Sequence, residues 1–178
     1  MKAFHGSYLF TRLGIALLLT VILAASASAQ NKEKSVTQTP YQVRVIVTPL
    51  GTGFQSSFLE LPAGKRFVIE NVSVITRSPE GMRMEVNFFS YIDRNGDGVG
   101  DVADITFNRV TLIDQGVFDG VSLATANHKV LVFADAEIGA GRYGLTAQAR
   151  LNAMPPANSF TQAQFTFSGY LEDLPAVP

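Results

Sequence analysis

Short segments in which apolar and polar residues alternate recur from residue 41 onward, and turn-forming residues separate them. In the segment YQVRVIVT, every second residue from Tyr41 to Val47 is apolar or aromatic. A period of two is typical of a half-buried β-strand, whereas an amphipathic helix repeats every 3.6 residues. No segment after residue 29 shows a clear helical period, so the sequence predicts an all-β domain.

The spacing of these segments predicts seven to nine strands in an antiparallel β-sandwich. An immunoglobulin-like sandwich is one alternative, but such domains usually contain a core tryptophan and a cysteine pair. This chain has no tryptophan and no cysteine. We therefore expect a jelly-roll-like sandwich and keep the immunoglobulin-like one as the alternative.

Several local features of the strands follow from the same pattern. The apolar phase shifts inside RFVIENVSVIT, which predicts a β-bulge near Glu70 and Asn71. The tripeptide at 114–116, DQG, predicts a turn between strands. The continuous apolar run at 128–135 predicts a strand that is covered on both faces. Residues 142–151, RYGLTAQARL, alternate like a strand but have a composition that also suits a helix.

The first 29 residues have the order of a secretory signal peptide. Lys2 and Arg12 precede an uncharged apolar run, and small residues end the segment at Ala29. This order predicts cleavage after Ala29 and release into the periplasm or the medium. A flexible lead-in at 30–40, one sandwich domain at 41–174 and a short tail at 175–178 would follow.

The charge of the mature chain excludes some partners. Removing residues 1–29 removes Lys2 and Arg12, which leaves 12 basic against 15 acidic residues and a net charge of −3. A mildly acidic chain without basic clusters favours neither nucleic acid nor an anionic membrane as a partner. The absence of cysteine also means that no disulfide restrains the loops.

One stretch, DRNGDGVGDVAD at 93–104, carries oxygen donors at regular spacing. Calcium prefers six to eight oxygen ligands, and a loop supplies them when donors fall on alternate residues around a sharp turn. Gly98 stands where that turn needs a residue without a Cβ atom. The candidate ligands are the side chains of Asp93, Asn95, Asp97, Asp101 and Asp104 and the backbone carbonyl of Val99.

This spacing resembles the calcium loop of EF-hands and, more closely, that of thrombospondin type 3 repeats, D-x-D/N-x-D-G-x-G-D-x-x-D. The likeness is confined to residues 93–104, and Gly100 fits the second pattern only. It implies a Ca²⁺ site, with a dissociation constant of about 10⁻⁴–10⁻³ M as in extracellular modules. Because the flanks are strand-like and there is a single copy, neither family's fold is implied.

The same loop has a simpler interpretation as a polar hairpin. Asn95-Gly96 and Asp97-Gly98 are strong turn dipeptides that need no ion. A plain hairpin does not require acids at positions 1, 9 and 12, however. Four carboxylates and Arg94 give the loop a charge of −3, which a divalent cation would reduce to −1.

Catalytic patterns are weak in this chain. His128 is the only histidine after residue 29, and there is no G-x-S-x-G motif.

The sequence predicts a non-enzymatic, exported, calcium-binding module with a structural or adhesive role. A calcium-dependent carbohydrate-binding module is the first alternative, and a secreted hydrolase is the second. The partners expected are a calcium ion and either a glycan or another surface protein. Most phenylalanines have an inward phase, so we expect them in the core.

Overall fold

The computed structural model describes residues 38–95, 104–136 and 141–174, which all belong to one compact unit. These residues form nine β-strands, as the alternation predicts. Within them, no helix is long and apolar enough to cross a membrane. The strands are β1 (Thr39–Val47), β2 (Gln55–Phe58), β3 (Lys65–Pro79), β4 (Met84–Asp93), β5 (Thr106–Val110), β6 (Ile113–Phe118), β7 (Val121–Asp135), β8 (Arg142–Leu151) and β9 (Gln162–Asp173).

The strands form two antiparallel sheets that face each other. Sheet A has the order β1-β9-β3-β7-β6, and sheet B has the order β2-β8-β4-β5. The pairs β1/β9, β2/β8, β3/β7 and β4/β5 are nested along the chain and fall alternately in sheets A and B. Nested pairing of eight strands across two sheets is the topology of a jelly roll, to which β6 adds an edge strand. The jelly-roll prediction is confirmed, and the immunoglobulin-like alternative is not what the chain adopts.

The core lies between the two sheets and consists of every second side chain of each central strand. Phe88 of sheet B and Phe167 of sheet A meet edge to face, with ring centroids 5.7 Å apart. Phe165 stacks on Phe167 at 6.0 Å along the same strand. All three rings are at most 1% exposed. Aromatic contacts of this kind add to the hydrophobic gain of burial and hold the two sheets in one register.

The bulge predicted near Glu70 and Asn71 is present. The pairing of β3 with β7 and with β9 shifts between Ile69 and Asn71, so the extra residue interrupts both ladders. Gly169 of β9 pairs with Ile69 beside this bulge. A Cβ atom at Gly169 would stand 1.9 Å from the carbonyl oxygen of Val68. A residue with no side chain is therefore required where the bulged strand comes close to its neighbour.

Four local predictions were wrong or left open. Residues 114–116 do not form a turn between strands, because they lie inside β6, where the register shifts between Asp114 and Gly116. The run 128–135 is not covered on both faces, since Leu131 is 70% exposed. It forms the second half of one long strand, β7. Residues 142–151 form a strand rather than a helix, and β1 begins at Thr39, inside the predicted lead-in.

We expect Gly169→Ala to lower the free energy of unfolding by about 1–3 kcal/mol, because the added methyl group would push backbone against backbone. Gly53→Ala is the matched control, since a Cβ atom at Gly53 meets nothing within 4 Å. Urea unfolding of both variants checks this. Equal stability of Gly169→Ala and the wild type would contradict the close approach at the bulge.

Candidate functional site

The acidic loop leaves one end of the sandwich. It connects Asp93, the last residue of β4, to Thr106, the first residue of β5. The same end holds the β7–β8 connection, because Asp93 pairs with Arg142 at the start of β8. The predicted ion ligands therefore start from a central strand of sheet B and finish at its edge strand.

Asp93 is fixed at the end of β4 and is only 1% exposed. Its backbone carbonyl accepts a hydrogen bond of 2.5 Å from the Gly141 N–H, which ties the start of the loop to β8. The β4–β8 register has no break up to Asp93. A carboxylate is thus buried where the loop begins, and its position is set by the ladder rather than by the loop itself.

Tyr91 lies two residues before Asp93 and on the same face of β4. Its ring covers Gly144 of β8, because a Cβ atom at Gly144 would stand 2.1 Å from the ring Cζ atom of Tyr91. Burial raises the pKa of the Tyr91 hydroxyl, and the negative charge of Asp93 raises that pKa further. The phenol therefore stays neutral beside the buried carboxylate.

Asp104 lies at the other end of the loop and is held by Arg94. The Arg94 guanidinium donates to both carboxylate oxygens of Asp104: its Nη2 atom lies 2.7 Å from Oδ1, and its Nε atom contacts Oδ2. This hydrogen-bonded ion pair lowers the pKa of Asp104. Arg94 directly follows Asp93, so the pair brings the two ends of the predicted ion loop together.

The structure places three of the six predicted ligands. Asp93 is buried, Asn95 is exposed, and Asp104 is paired with Arg94. Asp97, Val99 and Asp101 lie outside the described residues, as does Gly98. Within 38–95, 104–136 and 141–174, no three acidic or histidine side chains are grouped so as to hold a metal. The complete coordination shell stays a prediction.

A second ion pair braces this end of the molecule. Asp135, at the end of β7, accepts two hydrogen bonds from Arg66, at 2.7 and 3.0 Å, and a third of 3.0 Å from the Tyr143 N–H. The Asp135 side chain is fully buried, and that of Arg66 is 15% exposed. The pair raises the pKa of Arg66, despite the opposing effect of its burial. Strands β3, β7 and β8 are thereby joined beside the ion loop.

Arg66 also packs against aromatic rings. Its guanidinium carbon lies 4.9 Å from the centre of the Tyr143 ring and 5.8 Å from that of Phe133. These cation–π contacts orient the guanidinium toward Asp135. These contacts together hold the end of β7 in place.

The sequence analysis missed the aromatic side chains on the outer face of sheet B. Most phenylalanines were expected in the core, without Phe58, Phe89 and Phe107 being singled out. The cross-strand register places these three in one row on the face that points away from sheet A. We call these three residues the aromatic row. Phe58 is 64% exposed and Phe107 is 69% exposed. The signal that could have found them is the phase of β4, in which Met84, Val86 and Phe88 point inward.

We expect Asp135→Asn to lower the free energy of unfolding by about 3 kcal/mol, because it leaves the Arg66 charge without its buried partner. The matched control is Asp173→Asn at the same end of the sandwich. Its ion pair with Lys65 is exposed, with 91% of the Asp173 side chain accessible, so the expected loss is below about 1 kcal/mol. Similar losses for the two variants in urea unfolding would contradict the bracing role of Asp135.

Comparison of the chain with known proteins found no family profile that matches it and no curated protein that matches its sequence. The function is therefore argued from the chemistry of the sites.

Proposed function

We propose that this protein is an exported, non-enzymatic jelly-roll module that binds one calcium ion in the loop from Asp93 to Asp104. Its role is structural or adhesive. The observation that carries the proposal is the closure of the loop at its base. Asp93 is buried at the end of β4, and Arg94 holds Asp104 next to it. The export part rests on the N-terminal sequence alone, since residues 1–37 lie outside the described residues.

The ends of the loop are also kept adjacent by the ladder between β4 and β5, in which Ser90 pairs with Thr106, so they stay close when an ion displaces Arg94 from Asp104. Adjacent ends lower the entropic cost of gathering ligands around an ion. Three further side-chain donors, Asn95, Asp97 and Asp101, and the carbonyl of Val99 stand between those ends in the sequence. With both end carboxylates they supply six oxygen positions, the minimum of calcium's usual number. Hard oxygen donors without cysteine or histidine favour Ca²⁺ over zinc or copper.

The Arg94–Asp104 pair has a part in this mechanism. Without a cation, Arg94 is the one positive charge within 93–104 and offsets part of the repulsion among four carboxylates. Both oxygens of Asp104 accept from Arg94, so an arriving ion competes with the guanidinium for them. Binding would exchange a single-charge partner for a double-charge partner. The pair therefore acts as a latch that holds the loop closed until calcium replaces it.

The ion would join the strands that end around it. Asp93 belongs to β4, Asp104 precedes β5, and Gly141 of the β7–β8 connection donates to the Asp93 carbonyl. An ion that binds the folded state but not the unfolded one stabilises the fold by mass action. Calcium would thereby stiffen this end of a domain that has no disulfide.

Calorimetric titration of the purified protein with calcium tests the proposal. We expect one ion per chain with a dissociation constant of about 10⁻⁴–10⁻³ M. Calcium at ten times that constant should raise the free energy of unfolding by about 1.4 kcal/mol, which corresponds to about 3–6 °C in melting temperature. Asp97→Asn removes one carboxylate and should weaken binding at least tenfold, by about 1.4 kcal/mol.

Glu60→Gln is the control for the calcium titration. Glu60 is an exposed acid in the β2–β3 connection, outside the loop. We expect it to leave the affinity unchanged. The absence of heat and of thermal stabilisation in the wild type would end the calcium proposal.

The latch predicts an unusual gain of function. Arg94→Gln frees both oxygens of Asp104 and makes the loop more negative, so we expect calcium to bind roughly two- to fivefold more tightly. Arg109→Gln removes one positive charge from β5 instead, where Arg109 pairs with Glu85 at 3.0 Å, and should leave the affinity unchanged. Weaker calcium binding by Arg94→Gln would show that Arg94 supports the bound state and would contradict the latch.

A further inference from the structure

The outer face of sheet B differs in chemistry from the outer face of sheet A. On sheet A the interior strand β9 presents the half-buried polar residues Gln164, Thr166 and Ser168, and the aliphatic residues Ile46 and Leu131 are exposed on other strands of that sheet. Sheet B presents the aromatic row instead, on three of its four strands, with Thr146 at the matching position of the fourth. Phe58 of β2 pairs with Thr146 of β8, which pairs with Phe89 of β4, which pairs with Phe107 of β5.

The aromatic row is long and open at both ends. Neighbouring strands lie about 4.8 Å apart, so the three steps from β2 to β5 span about 14 Å. Phe58 and Phe107 are the exposed ends, while Phe89 contacts Phe107 with ring centroids 5.6 Å apart. The Tyr91 ring lies 6.2 Å from Phe89 on the side of the ion loop, but it is buried, at 6% exposed, and supports Phe89 from below. Exposed rings that share one face of a sheet are a feature of ligand-binding surfaces.

Two polar atoms within this surface lack hydrogen-bond partners among the described residues. Thr146 is 1% exposed, and its hydroxyl oxygen, between Phe58 and Phe89 in the row, has no partner. The Oδ1 atom of Asn87, which is next to Phe89 on the same face of β4, has none either. A buried polar group without a partner destabilises the fold. A ligand hydroxyl that enters between the rings would supply the missing hydrogen bonds.

The charges around the row point to an uncharged ligand. Glu85 accepts from Arg109 at 3.0 Å and from Arg150 at 2.5 and 2.8 Å. Arg150 also lies over the Phe54 ring, 4.4 Å from its centre. One carboxylate thus pairs with both arginines, and Arg150 is also held by a ring. The three groups together carry a net charge of +1, which is not the cluster of free positive charges that a phosphate or a sulfate would need. Nucleic-acid bases also stack on aromatic rings, but a face that binds nucleic acid needs a positively charged surface around those rings.

We propose that the outer face of sheet B binds a neutral oligosaccharide, whose sugar rings stack on Phe58, Phe89 and Phe107 while hydroxyls bond to Thr146 and Asn87. A sugar ring has an apolar face of C–H groups and a polar edge of hydroxyls. The apolar face would stack on the phenylalanine rings, and the hydroxyls would bond to the unsatisfied oxygens of Thr146 and Asn87 that lie beside those rings. Thr146 is 1% exposed and its neighbour in the row, Phe58, is 64% exposed, so a hydroxyl that reaches Thr146 would do so by a small shift of neighbouring side chains. This site is separate from the ion loop.

Calorimetric titration of the purified protein with cello-, xylo-, manno-, chito- and malto-oligosaccharides tests whether the aromatic row binds sugars. We expect saturable binding of at least one series. Phe107→Ala and Phe58→Ala each remove a stacking surface and should weaken it at least tenfold, by about 1.4 kcal/mol. Phe160→Ala is the control, because Phe160 is similarly exposed, at 56%, in the β8–β9 connection away from this face, and should leave binding unchanged.

Thr146→Val separates a binding role from a structural one. It removes a buried hydroxyl that has no partner in the described structure, so we expect a higher melting temperature together with binding weakened about three- to tenfold. If Thr146 had only a structural role, the substitution would change the melting temperature and leave the affinity for the oligosaccharide unchanged.

Three results would overturn the proposal. The first is silence across the whole oligosaccharide panel. The second is binding that survives both Phe107→Ala and Phe58→Ala. The third is a wild-type protein that sediments as a dimer and a Phe107→Ala variant that sediments as a monomer, since the face would then be covered by a second copy of the chain.

Discussion

The unbroken register of strand β4 determines both candidate sites. Its register with β8 runs from Met84 to Asp93 without a bulge. Met84, Val86 and Phe88 are therefore buried against sheet A, and the intervening residues Glu85, Asn87, Phe89, Tyr91 and Asp93 lie on the opposite face. A shift of one residue would exchange the two sets and expose the core. The hydrophobic gain from burying the inward set thus fixes the position of every outward residue.

The outward set of β4 changes in chemistry along the strand. A charged pair at Glu85 is followed by the amide of Asn87, then by the rings of Phe89 and Tyr91, and finally by the buried carboxylate of Asp93. Because these residues follow one another along β4, the proposed sugar site and the proposed ion loop are neighbours on one strand. The jelly-roll pairing keeps β4 between β5 and β8, so both sites are held by a strand with two partners.

The parts of the fold that the sequence predicted are those where local pattern and burial agree. The all-β class, the sandwich and the bulge at Glu70 follow from apolar phase, because residues on both sides of the bulge are buried. The pattern failed where burial is one-sided. Leu131 lies in an apolar run, yet the outer side of β7 is uncovered at that point.

Phe107 shows why the aromatic row was not predicted. The pairing of edge strand β5 with β4 decides which of its residues point inward. Val110 pairs with the buried Val86 and points inward, so Phe107 points outward although it is the larger apolar residue. Pairing between strands that are distant in sequence decides such a choice. The ion loop was recognised from the spacing of its donors, but the Arg94–Asp104 pair depends on the return of the loop to β5 and has no sequence signature.

A calcium titration followed by two-dimensional amide NMR tests most directly whether the end of β4 is where an ion binds. We expect saturable shifts at the amides of Asp93, Asn95, Asp104 and Gly141, and no shift at the amides of Gly53 and Met154 at the opposite end of the sandwich. Shifts that fail to saturate, or that spread evenly over both ends, would contradict it.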